Sequence, residues 1–399
     1  MSKPFSPFSI EELIPQEEML ELKKQKGQLF IGLPKETYFE EKRICLTPDA
    51  VAALTQQGHR IIVETGAGDS ANFTDHNYSE AGAKIVYTAK DVFDCNIILK
   101  IEPPTIEEIE LIKPQSILVS ALQLKTQTKN YFEALAQKRI TAIAFDFIRD
   151  DKGIFPVVKS LSEIAGTASV LIAAELMSTQ NNGNGVLLGN ISGVPPCEVV
   201  ILGAGTVGEF AAKSAIGIGS SVKVFDNSIF KLRALQNSLN QAVYTSTLQP
   251  RTLQKALMRA DVVIGALRGT SRCPVVVTEE MIQNMKPNSV IVDVSIDRGG
   301  CFETSEVTTH SNPIFQKHGV THYCVPNIPS RYARTATVSI SNIFTPFLLH
   351  IGEEGGFERA FRSEKILRSG MYFYHGILTN KSVSDWFDIP YRDINLLIL

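Results

Sequence analysis

From Leu29 onward, short apolar runs alternate with amphipathic stretches. LFIGLP (29–34), RIIVET (60–65), NIILKI (96–101), SILVSAL (116–122) and TAIAFDF (141–147) each read as a strand. Near-continuous Val/Ile/Leu without polar alternation is the pattern of parallel strands buried on both faces. Thr47-Pro48 predicts a helix start, with Thr as N-cap and Pro at the first helical position; the pattern runs through Val51, Leu54 and Thr55 and stops at Gly58. A long apolar helical stretch (157–177) precedes a second series: EVVIL (198–202), VKVFDN (222–227), DVVIGAL (261–267), VIVDVSID (290–297) and HYCVPN (322–327). A second long helix is predicted over 335–351, and the tail carries FYHGILTN (373–380).

These spacings suit right-handed βαβ units. They predict an α/β protein of two Rossmann-like domains with mostly parallel sheets. The glycine-rich fingerprint sits mid-chain, behind more residues than one small domain needs. The expected organisation is a nucleotide domain (157–334) inserted into a discontinuous catalytic domain (29–156 and 335–399). Residues 1–28 are expected to be an N-terminal extension with one amphipathic helix, for which Ser9 is the candidate cap, Glu12 lies three on, and Leu13, Met19, Leu20 and Leu22 are the apolar positions.

Charge adds mainly exclusions. The 399 residues carry 39 Lys+Arg against 42 Asp+Glu, a net charge of −3. That leaves no basic footprint for nucleic acid and no polybasic membrane patch. The N-terminus lacks a signal-type apolar region, and no uncharged apolar window of about 18 residues is present, so a cytoplasmic protein is expected. Cys45, Cys95, Cys197, Cys273, Cys301 and Cys324 lie far apart without a C-x-x-C, as free thiols of a reducing compartment do. No metal site is expected.

Gly203-Ala204-Gly205-Thr206-Val207-Gly208 follows a strand and opens a helix. In this context the first glycine permits the tight turn, the second admits a pyrophosphate, and the third packs helix on strand. Asp226 ends the next strand, 18 residues after Gly208, where an acid accepts from ribose hydroxyls and repels a 2′-phosphate, so NAD is the expected cofactor. Lys231 is either an adenosine contact or a solvated lysine. Ligands of open α/β sheets bind outside the carboxyl ends of strands, which here carry Ala266-Leu267, Asp297 and Asn327. Asp297, before Gly299-Gly300, is either a carboxylate for ribose or substrate contact or proton transfer, or a loop cap.

With these motifs stand IGLPKETYFEEKRICLTPDAV, SEIAG, GVPPCEVVILGAGTVG, VDVSIDRGGCFE and YCVPNIP. Together they resemble the alanine dehydrogenase/pyridine nucleotide transhydrogenase family over roughly 29–380, on the alanine dehydrogenase side. The resemblance implies NAD-dependent, reversible oxidative deamination of L-alanine to pyruvate and ammonium by a homo-oligomer, often a hexamer. It implies Arg43 as the holder of the substrate carboxylate and Asp297 as the active-site aspartate. It implies Ser162, Thr206, Val207, Asp226, Lys231, Ala266, Leu267, Val294 to Asp297, Val325, Asn327 and Ile328 as cofactor contacts. Two positions depart from the family pattern. Glu102, in Lys100-Ile101-Glu102-Pro103, stands where a substrate lysine is usual, and Gln123 where an acid–base histidine is usual. Glutamine does not transfer protons at neutral pH. Lys100, two residues from Glu102 on one strand face, is a candidate replacement. His375 is the one histidine in a motif-like setting. The alternatives are an NAD(H)-binding homologue with little or no activity, or a dehydrogenase for another amino acid.

Overall fold

The computed structural model describes residues 27–269 and 272–398; the predicted N-terminal helix lies outside the described residues. Fifteen strands form two sheets among the described residues. They are β1 (Phe30–Leu33), β2 (Arg60–Glu64), β3 (Lys84–Val86), β4 (Ile97–Leu99), β5 (Ile117–Ser120), β6 (Thr141–Ala144), β7 (Glu198–Leu202) and β8 (Ser221–Phe225). Then come β9 (Tyr244–Ser246), β10 (Val262–Gly265), β11 (Val290–Asp293), β12 (Ile314–Lys317), β13 (Val320–Tyr323), β14 (Met371–Tyr374) and β15 (Ile377–Leu378).

The first sheet has the order β15-β14-β6-β5-β4-β1-β2-β3, the second β12-β13-β11-β10-β7-β8-β9. Pairing is parallel except at one edge of each: β14 runs antiparallel to both β6 and β15, and β12 antiparallel to β13. The parallel part of each sheet reverses direction beside its first strand, between β1 and β4 and between β7 and β10. Those are the crevices where ligands of such sheets bind.

Burial on both faces explains the unbroken apolar runs. Ile97 and Leu99 point into one core and Ile98 into another; Val199 and Ile201 are likewise opposed to Val200 and Leu202. Each fully buried aliphatic side chain contributes roughly 1.5–3 kcal/mol. Thr47 does cap the helix Pro48–Gln56, its Oγ1 accepting from the Ala50 amide. The long helices span Pro156–Leu176 and Ala333–Glu353. The first is long and apolar enough to cross a membrane by length and composition alone, although Lys159, Glu163 and Glu175 interrupt it, and a core helix has the same character. Here it packs against the helix Thr206–Gly217, with Gly166 letting the two approach: a Cβ there would lie 2.4 Å from the Val207 carbonyl oxygen.

Several elements differ from expectation. β11 stops at Asp293, and residues Val294–Arg298 form a 3₁₀ turn, because the Asp293 carboxylate accepts from the Ser295 amide and caps it. Asp297 therefore sits on a turn rather than at a strand end. The last expected strand lies earlier, at Val320–Tyr323. The short β3, β9 and β12 have too few apolar residues to announce themselves. The tail returns as the hairpin β14–β15 on the edge of β6.

Candidate active site

The loop after β1 brings three glutamates and an arginine to the first sheet's crevice. Arg43 is buried, and its backbone is pinned by the returning helix: Thr337 Oγ1 accepts from the Ile44 amide and Ser341 Oγ from the Thr47 amide. Glu41, two residues earlier, receives Arg43 Nε on one oxygen and Nη2 on the other. A guanidinium has a second fork, formed by Nη1 and the remaining Nη2 hydrogen. That second edge is able to grip a carboxylate in two parallel bonds. Burial pushes the Glu41 carboxyl up, but the charge and hydrogen bonds of Arg43 outweigh it and hold Glu41 down at about 2.

Lys100 does not present a free ammonium. Its Nζ donates to Glu36 at 2.7 Å and lies 3.5 Å from Glu108 on the helix Ile106–Leu111. Burial opposes its charge, yet those glutamates keep it protonated above the usual lysine range. Glu36 also accepts from the Ile101 amide at 2.6 Å, so the pair fixes the strand end that presents Glu102. Glu102 is buried; its Oε2 accepts from Gln123 Nε2 at 2.5 Å, and its Oε1 is 3.8 Å from Arg43 Nη2. Gln123 adopts a left-handed backbone (φ 47°), and Asp146 accepts the preceding Leu122 amide.

The second sheet faces this crevice. Asn327 Nδ2 donates to Glu41 at 2.8 Å, while its amide donates to Asp297 Oδ1 at 3.1 Å. One asparagine thus joins Asp297 to the Glu41–Arg43 pair. Asp297 opens onto the cleft, and the surrounding protein raises its carboxyl against the pull of the Asn327 amide and Arg43. Glu40 accepts from the His310 and Ser311 amides at 2.8 and 3.0 Å, clasping the two halves together. Arg43, Glu102, Gln123, Asp297 and Asn327 are therefore brought together. His375 is not: it turns the β14–β15 hairpin and pairs with Glu358.

The fingerprint loop lies at the β7/β10 crevice. A Cβ on Gly203 would meet Ala266 O at 2.4 Å, and one on Gly208 would meet Gly203 O at 1.9 Å. A Cβ on Gly205 would meet nothing within 4 Å. The middle glycine thus borders open space at the N-terminus of the helix Thr206–Gly217, where no side chain caps the free amides. Anions bind readily in such a place. Asp226 accepts from the Ala204 and Ser228 amides at 2.9 and 2.8 Å. A carboxylate has about four acceptor positions, so two remain for hydroxyls. Lys231 is exposed and Ser162 Oγ donates to Val158 O. Ala266, Leu267 and Val294 are part-buried beside this crevice, whereas Val325 and Ile328 are buried in the adjoining core.

Comparison with known proteins identifies the family. The family model "Alanine dehydrogenase/PNT, N-terminal domain" matches residues 32–165, and "Alanine dehydrogenase/PNT, C-terminal domain" matches residues 169–381. The chain belongs to the alanine dehydrogenase/PNT family. An alanine dehydrogenase of Staphylococcus epidermidis is 38% identical over 366 residues, covering 91% of this chain and 98% of that one. Alanine dehydrogenase 2 of Staphylococcus aureus is 37% identical over the same span and coverage. Among solved structures, an L-alanine dehydrogenase superposes with a TM-score of 0.83 at 34% identity, over 89% of this chain and 98% of that one. A transhydrogenase from Sinorhizobium meliloti gives 0.76 at 23% identity over 88% and 99%, a likeness of fold. Within the family, the open cradle at Gly205 and the spare acceptor capacity of Asp226 fit a dinucleotide.

Sequence reasoning passed over Glu36, Glu40, Glu41, Asp146 and Asp293. Glu41 was detectable, since residues two apart on extended chain share a side. Asp293 is fully buried and accepts from the Ser295 and Cys301 amides and from Ser305 Oγ, so it shapes the turn bearing Asp297.

Proposed function

We propose that this chain is an NAD-dependent amino-acid dehydrogenase that reversibly deaminates L-alanine to pyruvate and ammonium. The observation that supports it best is the free second edge of the buried Arg43, opposite Asp297 and Asn327. In this reading Arg43 grips the substrate carboxylate, Asp297 and Asn327 border the reacting carbon, and Gly203 to Gly208 with Asp226 hold NAD. When bound, the nicotinamide supplies the hydride acceptor. The contact of Glu102 with Gln123, in place of a lysine and a histidine, favours a second reading: turnover is slow, or the preferred 2-oxo acid differs from pyruvate. The test is NADH absorbance with ammonium and a panel of 2-oxo acids. Pyruvate as the fastest substrate supports the first reading. NADH binding without turnover of any acid overturns both enzymatic readings.

A further inference from the structure

Position 123 carries a carboxamide, so hydrolysis of an imine in this cleft needs its proton-transfer group elsewhere. Glu102 and Glu41 converge on one nitrogen of Arg43: Glu41 accepts from Nη2, and Glu102 Oε1 lies 3.8 Å from it. A carboxamide steadies each glutamate, Asn327 for Glu41 and Gln123 for Glu102. The other charged groups facing the pair are Glu36 from the β1 loop, Lys100 beside it, Asp146 behind the Gln123 turn, and Asp297 across the cleft. Lys100 is held by Glu36 and Glu108, so Glu102 has no cation of its own. With Glu41 held as the anion by Arg43, a second buried carboxyl facing the same nitrogen tends to keep its proton, so the two do not both ionise. Because Nη2 belongs to the free edge of Arg43, a carboxylate gripped there brings its neighbouring carbon and nitrogen within reach of Glu102.

We infer that Glu102 is the catalytic acid–base residue of this cleft, relaying a proton between water and the substrate nitrogen. The inference rests on the amino-acid dehydrogenase reading above. After hydride leaves the substrate carbon, the carbon–nitrogen double bond is an iminium. Ionised Glu102 takes a proton from water as the water oxygen bonds to that carbon and the C=N pair moves to nitrogen. Glu102 then returns the proton to the nitrogen. The C–N bond breaks as the hydroxyl becomes a carbonyl; Glu102 removes the hydroxyl proton and passes it to the departing ammonia, which leaves as ammonium. Burial, then the charge of Glu41, pushes the Glu102 carboxyl up to about 8, against the pull of Arg43. Glu102 is therefore poised to exchange protons near neutrality.

The test is Glu102→Gln in the full-length protein, with NADH fluorescence titration as the control for folding. The expected result is a fall in kcat of roughly 10²–10⁴-fold with unchanged NADH affinity. In the wild type, deamination rises as pH passes through about 8, where Glu102 becomes a base, and that limb disappears in the variant. Adding Gln123→His to Glu102→Gln restores activity, because an imidazole then stands beside the lost carboxyl. Activity of Glu102→Gln within a few-fold of wild type, or retention of the limb, overturns the inference and leaves the dehydrogenase reading intact. Loss of activity in Asp297→Asn alone, with Glu102→Gln active, also overturns it. A wild type inactive with every acid overturns the dehydrogenase reading instead, and the inference falls with it.

Discussion

A methyl group added at Gly205 separates binding from stability. The Gly205 backbone has φ −84°, which any residue adopts, and the new Cβ meets no atom within 4 Å. Gly205→Ala is therefore expected to leave stability unchanged or raise it by about 0.4–1 kcal/mol, through the unfolded chain. The same methyl enters the space proposed for a pyrophosphate. Overpacking costs about 1–3 kcal/mol, which corresponds to roughly a 5- to 140-fold weaker Kd for NADH. Gly208→Ala is the contrasting case. Its Cβ would lie 1.9 Å from the Gly203 carbonyl oxygen, so helix and loop must part. It is expected to lose about 1–3 kcal/mol of stability before binding is considered. The assays are NADH fluorescence titration and urea denaturation of both variants. A Gly205→Ala protein that binds NADH within about twofold of wild type, or that is as destabilised as Gly208→Ala, would refute the assignment of that space to the cofactor.

Three further expectations rest on the same geometry. Arg43→Lys cannot hold Glu41 in two bonds and also offer a second fork; breaking such a buried pair costs about 2–5 kcal/mol. It should lower kcat/KM roughly 30- to 4000-fold without altering NADH affinity, and unchanged kcat/KM would contradict this. Burial raises the Asp293 carboxyl from 3.8 to about 6, against its hydrogen bonds from Ser305, Cys301 and Ser295. The raised value means its contribution to stability is full below 3.8 and is lost as pH rises through about 6. Asp293→Asn should flatten that part of the stability–pH curve in urea midpoints, and an unchanged slope would show that another group causes it. Glu40→Ala removes the acceptor of the His310 and Ser311 amides, so the cleft should open, with a larger radius of gyration in scattering and a raised KM. Scattering identical to wild type would mean that the clasp does not hold the cleft.

The fold was legible where burial on both faces makes a strand wholly apolar, as in β1, β4, β7 and β10. It was not legible at β9, whose Tyr-Thr-Ser carries no core. Nor was it legible at β11, whose apolar run continues in letters past Asp293 although the side chain of Asp293 bends the backbone. Arg43, Asp297 and Asn327 were identified by motif, and the fold brings them together. The pairing of Lys100 was not legible, because its partners Glu36 and Glu108 are distant in sequence. Periodicity places a lysine on a face but does not reveal which carboxylates meet it there. The same holds for Glu41 and Glu102, whose relation exists only once two loops meet at the β1/β4 crevice.

The hairpin β14–β15 has a consequence for how the chain is made. Until Met371 emerges, the β6 edge that it covers has no antiparallel partner, although β1 to β6 are complete by Ala144. Synthesis at about 5–20 residues per second leaves that edge open for roughly ten to fifty seconds. Meanwhile every strand of the second sheet is delivered in one uninterrupted stretch. The half proposed to hold the cofactor is thus able to fold first, while the half bearing Arg43 waits for the end of translation. A truncation before Met371 would expose the β6 edge permanently, making the nascent first sheet the part of this protein most exposed to strand-to-strand aggregation.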